Sequence, residues 1–158
     1  MIYDSISSFC GSLEPMRPLM GIDVGTKTLG LATSDILLTT AGALLTVKRE
    51  KFSRDAIKVL QISGNRNVGG FIIGLPINMD GSEGPKAQSI RSFAWNFSKK
   101  TSLPMAFWDE RLSTVAAEKT LLEADVARKR RSEVIDALAA CYILQGALDR
   151  ISHLRSKP

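Results

Sequence analysis

Four acidic residues stand where carboxylates are rarely kept, and their types suit a metal site. Asp23 interrupts the apolar run LMGIDVG (Leu19–Gly25), Asp109 and Glu110 follow the apolar run LPMAFW, and Asp136 is the only charge between Val134 and Gln145 in VIDALAACYILQ. A carboxylate withdrawn from water without a partner is too costly to keep, so such a residue asks for a cation, several donors or a raised pKa. Simpler roles exist for each. Asp23 can brace the glycine turn that follows it, and Asp109 and Glu110 can be a solvated pair at a helix start. Asp136 can pair with an arginine from the basic run that precedes it. Taken together, three or four carboxylates with no histidine make a site for one or two Mg²⁺ or Mn²⁺ ions. Such ions activate a water and stabilise the leaving oxygen in phosphodiester hydrolysis.

Composition supports an oxygen-ligand site over other metal chemistry. Cys10 and Cys141 lie near opposite ends of the chain and His153 is the only histidine. No CxxC knuckle or disulfide framework is available, and a zinc site of the usual His/Cys kind is close to excluded. The 158 residues make one domain with room for a core, and the formal net charge of +5 favours an anionic partner, nucleic acid above all. No apolar run approaches membrane-spanning length, so no membrane is expected. The first eighteen residues have no basic n-region or long apolar core and so make no secretory signal. The cytoplasm is the expected location. Residues 1–18 read as a weakly structured extension, with Met16 and Met20 as alternative starts, residues 19–152 as the domain, and 153–158 as a tail.

The elements that must position these carboxylates follow from periodicity. Leu19–Asp35 reads as two strands around a glycine turn, and Thr40–Val47 as a third strand. Lys51–Ile62 has helical apolar spacing, closed by Asn65–Asn67. Val68–Ile73 (VGGFII) is the fully apolar type of strand found inside parallel sheets. The loop Gly74–Gly84 leads to Pro85, well suited to open a helix reaching about Lys100. Leu103–Trp108 is another buried strand. Ser113 or Thr114 caps a helix to Glu123, and a last helix runs from about Ser132 to Ile151. Three meandering strands and then strand–helix units give an α/β domain with a mixed sheet. Asp109 and Glu110 then fall at the C-terminal edge of the sheet, where open α/β sheets bind ligands. Lys27, Lys86, Arg91, Arg111, Arg128, Lys129, Arg130 and Arg131 are candidates to hold a phosphate backbone around that site, or simply a solvated surface.

The segments GIDVGTKTLGLATSD, GLPINMDGSEG, DERLSTVAAEKTL and VIDALAACYILQGALD, in this order, resemble the YqgF (RuvX-like) family of Holliday junction resolvase-like proteins and pre-16S rRNA nucleases. The resemblance covers Leu19 to Arg150. It implies a ribonuclease H-like fold, with a five-stranded mixed sheet of three antiparallel and then two parallel strands flanked by helices. It also implies metal-dependent cleavage of structured nucleic acid by catalytic residues Asp23, Asp109, Glu110 and Asp136, of which Asp23, Glu110 and Asp136 fall on the metal positions. The chain departs from the pattern at Thr28, where the family usually has arginine. Where true junction resolvases place a glutamate at the end of the fourth strand, it has Gly74-Leu75-Pro76.

Two other functional classes compete. DVGTKTLGLATSD also resembles the phosphate-binding hairpin of actin-like ATPases and sugar kinases. Those proteins use two such domains, and 158 residues hold only one. A catalytically silent nucleic-acid-binding protein is the second. Within the nuclease reading, pre-rRNA trimming is the expected role and junction resolution the alternative, the protein being a monomer or a weak homodimer. A dimer is what cutting two strands of a junction would need.

Overall fold

In the computed structural model, residues 1–112 and 131–157 are described, with side chains in the second stretch from Ala137 onward. One mixed sheet of six strands has the order β1-β6-β5-β2-β3-β4. These are β1 (Ile2–Tyr3), β2 (Leu19–Val24), β3 (Thr28–Ser34), β4 (Ala41–Lys48), β5 (Gly70–Leu75) and β6 (Met105–Asp109). Strands β1, β6, β5 and β2 are mutually parallel, and β2–β3–β4 is an antiparallel meander. The expected mixed α/β sheet is therefore present, with six strands where five were expected.

The sixth strand comes from the segment expected to be weakly structured. Ile2 and Tyr3 pair with Met105 and Ala106. Ser5 caps the helix α1 (Ile6–Gly11) by accepting a hydrogen bond from the Ser8 amide at 3.1 Å. Phe9 on that helix is fully buried and meets Tyr3 edge-on, with ring centroids 6.3 Å apart. At the other end the helix continues into residues read as a tail. The last helix, α4 (Arg131–Ser156), runs through most of the predicted tail. The helix expected from Ser113 or Thr114 to Glu123 lies outside the described residues.

Side chains alternate between the faces of each strand, and this sorts the core into two layers. Met20, Ile22, Val24, Phe71, Ile73, Leu75 and Met105 pack under α2 (Phe52–Asn65) and α3 (Pro85–Ser98). Leu19, Ile72, Ala106 and Trp108 pack on the opposite face with α1 and α4. Both connections β4–α2–β5 and β5–α3–β6 cover the first face. Helix α4 lies very close to the second. A Cβ built on Gly21 would stand 2.8 Å from the Ala140 carbonyl oxygen and 2.8 Å from Leu144 Cβ. Only glycine allows that approach.

Candidate functional site

Asp23 sits on the α4 face of β2, in the middle of the sheet, and only 9% of it is exposed. Its partner across β3 is Gly30. On the other side the last paired position is Ile22 with Ile73, so the next residue, Gly74, is its neighbour on β5. Glycines on both flanks leave the sheet surface around this carboxylate without Cβ atoms, and a group carried by another element can reach it there. The hairpin that follows is tight. The Gly25 amide donates to the Thr28 carbonyl at 2.9 Å, and a Cβ on Gly25 would lie 2.8 Å from that oxygen.

The adjacent acids at the end of β6 go to different sides. Gly74 is paired with Trp108 and Leu75 with Asp109, so alternation puts Asp109 on the α2/α3 face with Leu75. There Asp109 accepts hydrogen bonds from the Arg111 amide at 2.9 Å, from its Nε at 3.1 Å and from its Nη2 at 2.7 Å. The Arg111 guanidinium hydrogen bonds hold the Asp109 carboxyl below the usual carboxylate range. Glu110 instead opens the 3₁₀ turn Glu110–Leu112, and its Cδ would be 3.5 Å from a Cβ on Gly74. Its carboxylate therefore overlies Gly74, one strand from Asp23. A Cβ at position 74 would collide with Ile143 Cδ1 and meet its Cγ1 at 3.0 Å, with Glu110 at ordinary contact distance.

Asp136 belongs to α4, and its side chain lies outside the described ones. The helix course is nevertheless defined. Glycine contacts place Gly146 over Trp108, Ile143 over Gly74, and Ala140 over Gly21. The same helix also reaches β4, where the Ala41 amide donates to Gln145 Oε1 at 2.9 Å and Cys141 Sγ donates to the Ala41 carbonyl at 3.3 Å. Among the described residues no group of three His, Cys, Asp or Glu side chains is placed to hold a metal ion. Asp23 and Glu110 are oxygen donors on neighbouring parts of the sheet, Asp23 beside Gly74 and Glu110 in contact range of it, and carboxylate oxygens of this kind suit a hard divalent cation.

The basic candidates fall into three groups. Lys27, at the hairpin tip, and Lys86, in the first turn of α3, are exposed. Arg91 and Arg111 are already engaged. Arg91 forms a two-pronged pair with Glu83, with Nη2 2.7 Å from Oε2, and lies 4.9 Å from the centroid of the Phe107 ring. Hydrogen bonding to this guanidinium lowers the Glu83 pKa and raises that of Arg91. Arg111 adds a long contact of 3.5 Å to the Asn78 carbonyl, linking β6 to the loop Gly74–Gly84. In that loop Gly81 has φ +88°, and Asp80 accepts from the Ser82 amide at 2.9 Å. Arg128, Lys129 and Arg130 lie outside the described residues, and Arg131 is the first residue of α4, its side chain likewise undescribed.

One further residue escapes a reading by sequence alone. Arg49 donates from Nη1 to the Gly25 carbonyl at 2.7 Å, and its amide donates to the Lys27 carbonyl at 2.9 Å. Its Nε stands 3.8 Å from Asp55, a fully buried carboxylate in the first turn of α2. Asp55 also accepts from the Glu50 amide at 2.9 Å. Arg49 thus ties the hairpin after Asp23 to the helix layer. The available signal was Asp55 itself, next to Ala56 on the buried face of an amphipathic helix.

Comparison with known proteins gives a family and a fold. The family model RuvX, described as Holliday junction resolvase, matches residues 17–150. A Jannaschia sp. (strain CCS1) protein named "Putative pre-16S rRNA nuclease" is 59% identical, covering 99% of each chain. A Roseobacter denitrificans protein of the same name is 57% identical, covering 99% of this chain and 98% of its own. Among solved structures, Thermus thermophilus RuvC in complex with a Holliday junction substrate aligns at TM-score 0.53 and 16% identity. It covers 86% of this chain and 96% of that one, a likeness of fold.

Proposed function

This chain belongs to the RuvX family, and from that premise we propose that it is a divalent-metal-dependent nuclease that trims the 5′ end of pre-16S rRNA in the cytoplasm. The observation that carries the reading is Asp23, held on a central strand between Gly30 and Gly74, with the Glu110 carboxyl over Gly74. The names of relatives nearly identical in length support the RNA substrate.

Asp23, Glu110 and Asp136 would hold Mg²⁺ or Mn²⁺, which when bound supplies Lewis-acid activation of the scissile phosphate and of the attacking water. The rest of the chemistry is positioning. Asp23 is fixed by the sheet on both sides, so its carboxylate needs no reorganisation when the substrate arrives. Asp109 closes on Arg111 and so pins the end of β6, which sets where the Glu110 turn begins. Arg49 holds the carbonyl side of the Gly25–Thr28 hairpin and keeps Lys27 at its tip. Lys27 and Lys86 are exposed ammonium groups that meet backbone phosphates without reading sequence. The protein works as a monomer or weak homodimer in this role.

The test offers purified protein a 5′-extended rRNA fragment and a four-way DNA junction, each with Mg²⁺ or Mn²⁺. Cleavage of the RNA at the mature end, lost in Asp23→Asn, is the expected result. Selective cutting of the junction would replace the RNA role with resolution, the activity that the family description carries. Binding of both without cleavage of either would make the chain a nucleic-acid-binding protein and overturn the proposal.

A further inference from the structure

Beside the carboxylates, and on the other face of the sheet, is a cleft that the nuclease chemistry does not use. It has a volume of about 290 Å³ at the C-terminal ends of β1, β5 and β6, and Tyr3, Asp4, Leu75, Arg91, Phe107 and Asp109 are in its wall. That is the small end of ligand-site volumes, so it suits one flat ring system better than a whole nucleotide. Its floor is apolar, and its flat groups are the Phe107 ring and the Arg91 guanidinium, whose carbon lies over that ring 4.9 Å from its centroid. The cations here are poor phosphate ligands. Arg91 is neutralised by Glu83 and Arg111 by Asp109, while Asp4 adds an exposed negative charge. An anion is therefore disfavoured, and a neutral aromatic group that can donate hydrogen bonds to carboxylates is favoured. Asp109 belongs both to this wall and to the strand end that presents Glu110, and its strand β6 is two strand spacings, roughly 10 Å, from β2, which carries Asp23.

We propose that this cleft holds an unstacked nucleobase of the substrate strand, a few nucleotides from the scissile phosphate, and prefers bases with an exocyclic amino group. The inference rests on the nuclease reading but concerns a separate contact. Stacking on aromatic rings and arginine planes is how single-stranded bases are commonly held, and a carboxylate accepts from the amino group of cytosine. One wall is supplied by Tyr3 and Asp4, which precede the stretch matched by the family model, residues 17–150. Curated relatives align over 98–99% of this chain and so share the segment's place.

The experiment moves a single abasic position along the unpaired flank of the RNA and measures binding without divalent metal, then cleavage with Mn²⁺. One position should weaken binding by the wild-type protein about tenfold. In Arg91→Lys, which keeps charge and loses the planar surface, the same position should have little effect. Phe107→Leu keeps the core filled and should flatten the profile in the same way, which separates stacking from misfolding. Replacing cytosine by uracil at that position should weaken binding, and Asp4→Asn should erase the difference. A flat abasic profile in a wild-type protein that still cleaves would overturn this inference and leave the nuclease reading intact. A peaked profile without cleavage of any substrate would do the reverse.

Discussion

Replacing Gly21 by alanine should move the last helix away from the sheet and weaken the metal site without touching a carboxylate. The added Cβ would stand 2.8 Å from the Ala140 carbonyl oxygen and 2.8 Å from Leu144 Cβ, about 0.6 Å inside ordinary contact. Neither atom can rotate aside, because one is backbone and the other is bonded to it. The strain must therefore pass to α4 as a whole. Overpacking of this kind costs about 1–3 kcal/mol. For a chain of this size that is a melting point lower by about 2–12 °C, since each kcal/mol shifts it by about 2–4 °C. Asp136 lies one helical turn before Ala140 on α4, so in the proposed site a retreat of this helix would shift that candidate ligand relative to the strand that carries Asp23. Mn²⁺ titration calorimetry should show weaker binding in Gly21→Ala, alongside a denaturant midpoint that falls with m unchanged. Gly64→Ala is the internal control. Nothing lies within 4 Å of its Cβ, it sits in α2, and it should stabilise by about 0.5–1 kcal/mol while leaving metal binding alone. A Gly21→Ala protein with wild-type melting point and Mn²⁺ affinity would refute the reasoning that helix contact sets the site.

The two acids at the end of β6 should separate by mutation. Glu110→Gln should abolish metal-dependent cleavage with substrate binding retained. Asp109→Asn should only reduce it, by about 10–100-fold, because it loosens the turn instead of removing a ligand; equal losses in gel-based cleavage assays would contradict the separation. Arg49→Met should destabilise by about 2 kcal/mol in urea unfolding, less than the cost of breaking a fully buried pair because Arg49 is partly exposed, and should raise KM through the loosened Lys27 hairpin. Acid unfolding should carry a contribution from the β3–β4 connection. The Thr39 hydroxyl and the Thr40 and Thr39 amides bond Asp35 and lower its pKa from 3.8 to about 2. This stabilisation is complete above the ordinary value and is lost as pH falls toward 2, so Asp35→Asn should flatten the pH dependence of the melting point in that window. A wild-type slope in the variant would assign acid sensitivity elsewhere.

What the sequence reveals about this site depends on whether each feature is local. Asp23 is legible because a single carboxylate breaks a period of buried residues within six positions, and nothing remote is needed to notice it. The order of strands and helices is legible for the same reason, since each element carries its own periodicity. Asp109 and Glu110 are different. They are adjacent, and which one turns toward Asp23 is decided by the register of β6 against β5, which pairs Gly74 with Trp108 and Leu75 with Asp109. A one-residue slip in that register exchanges the two faces, and apolar pattern alone does not fix the register that closely. The structure ends β6 at Asp109. Asp109 therefore still obeys the alternation and faces Leu75, while Glu110 is released into the turn over Gly74. The N-terminal strand is illegible for a second reason. Two residues have no period, and what orders them is pairing with Met105 and Ala106, about a hundred positions away. Arg49 joins Gly25 to Asp55 in the same nonlocal way. The strand end thus does two things at once. At its end β6 turns Glu110 toward Gly74 and leaves Asp109 to Arg111 and the cleft, so the proposed chemistry and the proposed base contact share one boundary. Moving that boundary by inserting a residue after Trp108 should therefore impair both together.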